Sequence, residues 1–331
     1  MRWFSRKSII RIGIYFAIPV VFLWAVGCYM TRCYCKPVKI GESVVVSAEN
    51  LRAHVEKLAG EFGQRHIYKP KSLAAAADYI EETWQQQGYD VVRQNFQVRG
   101  ITCTNLEITR RGKSRPSEII LVGAHYDTTM GSPGANDNAS GAAAMLELSR
   151  HFGKIEPDRT IRFVAFTNEE LFFNSPDMGS RRYAAMARAR GDNIRVMISL
   201  ETMGCFNDER GSQRYPPVLG WFYSDRGNFI GFVSNLSSRR VMHRAIAGFR
   251  GHSGFPNECI ATLERIQGIG WSDHAAFWHE GYAAFMITDT ALFRYPHYHA
   301  PRDLPDQLNY EKLARVAEGI VGALLALDTE E

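Results

Sequence analysis

The chain has 331 residues, of which 45% are hydrophobic, 22% charged and 12% aromatic. Ordinary glycine and proline counts at that charge density exclude a collagen-like, low-complexity or polytopic membrane chain. The formal net charge of +4 is unevenly placed: residues 1–36 hold six Lys/Arg and no acid, which leaves −2 for the remainder and argues against a nucleic-acid partner.

From Ile12 to Thr31 no residue is charged. At 1.5 Å per residue this run comes close to spanning a hydrocarbon core about 30 Å thick. Arg2, Arg6, Lys7 and Arg11 precede it, and such basic flanks stay on the cytoplasmic side. Residues 1–31 are therefore expected to form an N-terminal transmembrane anchor in the inner (cell) membrane. Residues 32–47 read as a tether to a periplasmic or extracellular domain, 48–331. The alternative is a lipoprotein, because Trp24–Cys28 resembles a bacterial lipobox that would leave Cys28 as the lipidated terminus. Cys28, Cys33 and Cys35 lie in or beside this segment and Cys103, Cys205 and Cys259 in the domain. No Cys-x-x-Cys spacing marks a zinc knuckle.

Beyond the tether, helices are expected over 48–59 and 72–87, the second stopping at Gly88. Strands follow over 89–98 and 104–109, separated at Gly100. Four nearly continuous apolar runs come next, at 118–124, 160–167, 194–200 and 283–288. That pattern belongs to strands buried on both faces. Helices are expected between and after them, over 140–152, 179–190, 239–249, 273–280 and 310–327. The alternation predicts a single α/β domain with a mixed, largely parallel central sheet flanked by helices.

In open α/β sheets, sites form beyond the carboxyl ends of the strands. Here those ends run into His125-Tyr126-Asp127, Asn168-Glu169-Glu170, Glu201 and a loop with His297-Tyr298-His299, while Asp137 lies in a Gly-flanked loop before a helix. Imidazoles and carboxylates suit Zn²⁺. One carboxylate can bridge two ions, and a further one is needed to carry the proton from water to the leaving group. Met203, Phe277, Met286 and Tyr298 are candidates to line an apolar substrate pocket. Ser272-Asp273-His274 cannot be a serine triad, since three consecutive residues cannot aim at one another, and Ser272 is suited to capping a helix.

The runs HYD, GANDNASG, NEE, GSRRYA, SLETMG, SDHAAF and PHYHAPRD together resemble, in order and rough spacing, the zinc exopeptidases of peptidase family M28. That family includes bacterial leucyl aminopeptidases, with glutaminyl cyclases as relatives. The resemblance covers roughly residues 50–327. It implies that His125 and Glu201 ligate one zinc and Glu170 and His299 another, with Asp137 bridging and Glu169 as general base. Glu201 stands where the best-known aminopeptidases have Asp, which leaves a mononuclear site open. His299, rather than His297, matches the closing ligand. Asp127, Asp273, His274 and Tyr298 would lie behind the ligands or on the substrate side. The implied activity is an aminopeptidase cutting the N-terminal peptide bond of a peptide with a free N-terminus, using metal-bound hydroxide and the Glu base. A carboxypeptidase, a glutaminyl-cyclase-like zinc acyltransferase and a non-catalytic ectodomain are the alternatives.

Overall fold

The computed structural model describes residues 6–42 and 44–329. A helix α1 (Arg6–Thr31) is followed by a segment without regular structure over 32–42. The first five residues of the expected anchor lie outside the described residues. Among the described residues no helix is long and apolar enough to cross a membrane. Along α1, Ile18, Val21, Phe22, Leu23 and Trp24 are exposed.

Eight strands form one mixed sheet: β1 (Val92–Val98), β2 (Ile101–Arg110), β3 (Arg115–His125), β4 (Arg159–Phe166), β5 (Asn193–Glu201), β6 (Ile230–Asn235), β7 (Asn257–Thr262) and β8 (Ala284–Thr288). Their order is β1-β2-β4-β3-β5-β8-β6-β7. The central four, β4-β3-β5-β8, are mutually parallel, while β1 and β2 add an antiparallel hairpin at one side and β6 runs antiparallel to β8 at the other. Register places His125 beside Phe166 and Glu201 beside Thr288, so the central strands end along one edge of the sheet.

Helices α2 (Ala48–Val55), α3 (Pro70–Gln86), α4 (Gly141–Phe152), α6 (Arg239–His252) and α8 (Tyr310–Asp328) contribute to the large core on one face. Helices α5 (Gly179–Arg190) and α7 (His274–His279) cover the other, where Phe166, Tyr183, Met197 and Phe277 meet. Caps fix the helix starts: Ser47 accepts from the Asn50 N–H at 3.1 Å, Asn309 from the Lys312 N–H at 2.9 Å, and Pro70 opens α3. Helices α6 and α8 approach closely because Gly248 faces Gly322, where an added Cβ on either would strike the other's backbone.

Several boundaries differ from expectation. The helix over 48–59 is α-helical only to Val55, then widens into a π-helical turn, Glu56–Phe62, that ends at Gly63 with φ +67°. The strand expected from residue 89 begins at Val92, because Tyr89 turns toward α4 and its hydroxyl donates to the Ser149 carbonyl at 2.8 Å. The break at Gly100 is a two-residue hairpin turn in which Arg99 and Gly100 both have positive φ. β6 and β7 were not expected. Each is six residues long, and Gly231, Ser234, Asn235, Asn257 and Glu258 interrupt their apolar character.

Candidate metal centre and active site

Each candidate ligand is carried by a strand end or by the loop that follows one. His125 closes β3, Glu201 closes β5, and Glu169 and Glu170 follow β4. Asp137 lies in the turn Ala135–Ser140 before α4, its peptide to Asn138 being cis, and His299 sits beyond β8. The backbone bends sharply here: Asn168, Thr202, Thr290 and His299 all take positive φ without being glycine. Such conformations concentrate where side chains are held for function.

The geometry divides these side chains into two clusters joined by one residue. His125 Nε2 lies 3.4 Å from Asp137 Oδ1 and 3.3 Å from Glu201 Oε2. His299 Nε2 lies 3.0 Å from Asp137 Oδ2 and 3.1 Å from Glu170 Oε2. Asp137 thus turns one oxygen toward each cluster. Donor atoms of His125, Asp137 and Glu201 all fall within 4.8 Å of one another, as do those of Asp137, Glu170 and His299. His125 and Asp137 are buried, and the His299 side chain is 38% exposed, forming the open side.

These donors fit a metal better than they fit each other. Asp137 Oδ2 and Glu170 Oε1 are buried without an aligned hydrogen bond, although Asp137 Oδ2 is near an imidazole nitrogen. Buried polar atoms left this way signal a missing partner. Two imidazoles with three carboxylates are a donor set for Zn²⁺.

Burial and mutual charge set the titration. Burial pushes the Glu169 carboxyl well above the ordinary range, against the pull of His125 and with reinforcement from Glu170 and Glu201. Burial raises Glu170 to about 8, with Asp137 adding to the shift. Burial would also raise Asp137, but hydrogen bonding to His125 and His299 outweighs it and holds that carboxyl low.

A surrounding layer orients the donors. Asp127 accepts from the backbone N–H of Glu169 at 3.0 Å and of Glu170 at 3.2 Å, and its Oδ1 lies 3.5 Å from His125 Nδ1. Ser272 does not cap a helix: its hydroxyl donates to Glu201 Oε2 at 2.6 Å and lies 3.0 Å from the Ser199 hydroxyl. Asp273 is fully buried, with neither carboxylate oxygen in a well-aligned hydrogen bond; burial pushes it up to about 7, against the pull of His125 and the Ser180 hydroxyl. His274 is not brought to the ligands. Its Nε2 lies 2.7 Å from the Ile269 carbonyl and its ring stands edge-on to Trp278, with burial pulling its pKa down to about 4. Tyr298 stacks on His299 with centroids 3.8 Å apart, while His297 packs against Tyr295 and joins neither cluster.

Two positioning residues have no role assigned by the sequence patterns: Asp303, although it closes the run PHYHAPRD, and Arg65. Asp303 accepts from the N–H groups of Asn136 and Asp137 at 2.7 and 3.2 Å and from the Tyr295 hydroxyl at 2.9 Å. Arg65, fully buried, donates to the carbonyls of Leu58, Gly63, Tyr126, Pro133 and Gly134. It therefore knits the loop after His125 to the loop before Asp137.

An apolar pocket opens beside Glu201 and Tyr298, with Tyr215, Leu219, Phe229 and Trp271 among its walls. Met286 and Tyr298 line it as expected. Met203 and Phe277 do not; both are packed into the cores on either side of the sheet. Among the described residues that line it, Glu201 and Glu258 are the charged ones and none is Lys or Arg. Arg294 instead bonds the carbonyls of Cys205 and Phe229, and Arg182 pairs with Asp177.

The central strands of the mixed sheet are parallel and gather N/O donors at their ends, an arrangement suited to a metal-dependent enzyme. The family model described as "Peptidase family M28" matches residues 105–324. Protein YfbL of Escherichia coli is 34% identical over 288 residues, covering 84% of this chain and 88% of that protein. The chain belongs to peptidase family M28, a family of zinc-dependent peptidases. Aminopeptidase YwaD of Bacillus subtilis is 29% identical over 211 residues, 62% of this chain and 40% of that protein, so this chain spans well under half of its length. Among solved structures, the zinc aminopeptidase BSAP from Bacillus subtilis superposes with a TM-score of 0.68 at 17% identity, covering 86% of this chain and 95% of that one. The glutaminyl cyclase of Fimbriiglobus ruber does so with a TM-score of 0.65 at 20% identity, covering 88% and 99%. These two likenesses establish the fold.

Proposed function

We propose that the protein is a membrane-tethered aminopeptidase that works with two zinc ions. His125, Asp137 and Glu201 would hold one ion, and Asp137, Glu170 and His299 the other. The observation that carries this reading is Asp137, whose two carboxylate oxygens face the two clusters separately. A one-metal cyclase has no need of that arrangement.

When bound, zinc supplies Lewis-acid polarisation of the scissile carbonyl and makes water acidic enough to lose a proton near neutral pH. Glu169 takes that proton on its carboxylate and returns it to the leaving amine. Burial beside Glu170 and Glu201 raises the affinity of Glu169 for protons, against the pull of His125. Asp127 fixes the peptide of the Glu169–Glu170 pair, Ser272 aims Glu201, and Asp303 with Arg65 holds the Asp137 loop. The apolar pocket takes the side chain of the substrate's first residue. Its acids suit a nearby ammonium, whereas a carboxypeptidase needs a cation to grip the substrate carboxylate, and none of the described residues lining the pocket is Lys or Arg.

The anchor reading rests on the uncharged run 12–31, its basic flank, and the exposed apolar residues from Ile18 to Trp24. Residues 1–31 would hold the chain in the cell membrane with the catalytic domain outside the cytoplasm.

The test assays the full-length chain in detergent with aminoacyl, carboxypeptidase and N-terminal Gln substrates. Release of the N-terminal residue supports the proposal. Release of C-terminal residues, cyclisation of Gln without hydrolysis, or no turnover at all would overturn it.

A further inference from the structure

The segment after α1 is fastened to the domain through α6 and β7, where Cys259 lies on the wall of the pocket that Glu201 and Tyr298 also line. Val38 N–H donates to the Ala247 carbonyl at 2.9 Å. Arg250 donates to the carbonyls of Cys33 and Cys35 at 3.1 and 3.3 Å, and Arg239 lies 4.1 Å over the Tyr29 ring. These contacts lay a Cys-x-Cys pair against α6 and the edge strand β7. There Cys33 Sγ, Cys259 Sγ and a ring nitrogen of His243 all fall within 4.8 Å of one another. Cys35 Sγ is 2.6 Å from Cys33 Sγ, next to this triplet.

We propose that Cys33, Cys35, Cys259 and His243 form a second, structural metal site that takes one Zn²⁺ ion and clasps the segment after α1 to β7. Three thiolates and an imidazole are a closed tetrahedral zinc set, with bonds of about 2.3 Å to sulfur and about 2.0 Å to nitrogen. Those bonds place ligand atoms roughly 3.5–3.8 Å apart, so Cys35 Sγ, now 2.6 Å from Cys33 Sγ and outside the triplet, must swing away from Cys33 toward Cys259 and His243 to complete the set. Binding breaks three S–H bonds and forms three Zn–S bonds, the protons pass to solvent, and nothing is oxidised or reduced. The resulting centre carries one net negative charge. Arg250 Nη1, 3.7 Å from Cys35 Sγ, is placed to balance it. The ligands come from three segments, with Cys35 and the Arg250 turn of α6 215 residues apart in sequence. A metal joining such distant segments stabilises by closing a long loop. It also gives the anchor a rigid attachment instead of a free linker. Cysteine spacing alone gives no hint of this, because the pair is Cys-x-Cys and its partners lie in the last third of the chain.

The experiment uses the full-length chain in detergent, purified without oxidant, and measures zinc per chain together with the absorption spectrum after exchange with Co²⁺. The expected result is a thiolate-to-cobalt charge-transfer band that persists in Asp137→Ala. The oxygen and nitrogen donors around Asp137 cannot produce such a band. The Cys33→Ser/Cys35→Ser double variant should lose the band and one zinc equivalent, and His243→Ala should weaken or shift it. An unchanged zinc count in the double variant, or a wild-type protein without the band, would overturn the proposal. So would thiol titration and peptide mass spectrometry that find a disulfide among Cys33, Cys35 and Cys259. The strand-end proposal is untouched by any of these results, since its zinc count follows Asp137.

Discussion

Asp127 reaches across two strand ends: its Oδ1 accepts from the Glu169 backbone N–H at 3.0 Å while lying 3.5 Å from Nδ1 of His125. One carboxylate thereby fixes the Glu169–Glu170 backbone and faces the outer nitrogen of His125. Asp127→Asn keeps the shape but loses an acceptor, and its amide NH₂ would oppose one of the two backbone donors. Metal affinity and kcat should each fall about 10–100-fold, as for other residues that steer metal ligands. Zinc competition titration and steady-state kinetics check this.

Glu169→Gln removes the proton carrier without touching either cluster of ligands. Zinc content should stay at the wild-type value while kcat falls by about 10²–10⁴-fold. Elemental analysis and kinetics on the same preparation decide it. A variant that turns over at the wild-type rate would remove Glu169 from the mechanism.

Arg65→Met preserves bulk in a fully buried position but strips five carbonyls of their donor. The expected loss is about 3–5 kcal/mol of unfolding free energy, the range for breaking a buried polar network. Chemical denaturation of the variant should show the midpoint shift. The strand-end metal should also bind more weakly, because Pro133 and Gly134 lead directly to Asp137.

Glu147 on α4 gives a pH-dependent prediction away from the metal. Its carboxylate accepts from Arg150 at 2.7–3.1 Å and from Asn50 at 3.3 Å, and its side chain is 1% exposed. Burial alone would raise it, but the His54 ring 3.8 Å away and the hydrogen bonds from Arg150 prevail and bring it to about 2, from 4.5. A depressed folded-state value means a stabilisation that is complete above pH 4.5 and lost as pH falls toward 2, worth about 3 kcal/mol. Glu147→Gln should therefore unfold more easily at pH 7 and show a flatter loss of stability between pH 4.5 and 2. Denaturation midpoints across that range test the difference.

The central strands were legible because burial on both faces writes itself as unbroken apolar runs, and the donors were legible because each follows such a run. β6 and β7 were not, being short and interrupted by Gly231, Asn235 and Glu258. Asp303 was visible as the last residue of PHYHAPRD but its role was not, and Arg65 was not visible at all, because both act mainly on backbone groups of distant loops. Ser272-Asp273-His274 was conspicuous as a motif. Its three side chains point different ways at the start of α7, so that Ser272 serves Glu201 while His274 serves the Ile269 carbonyl. Cys33, Cys35, Cys259 and His243 were separated by the chain and joined only by the packing of its first helix.

The most direct test of the strand-end site is the zinc count of Asp137→Ala against wild type. A residue shared by both clusters predicts the loss of two equivalents per chain in one substitution, with the fold retained by circular dichroism. Loss of one equivalent or none from a folded variant would contradict a shared carboxylate between His125 and His299.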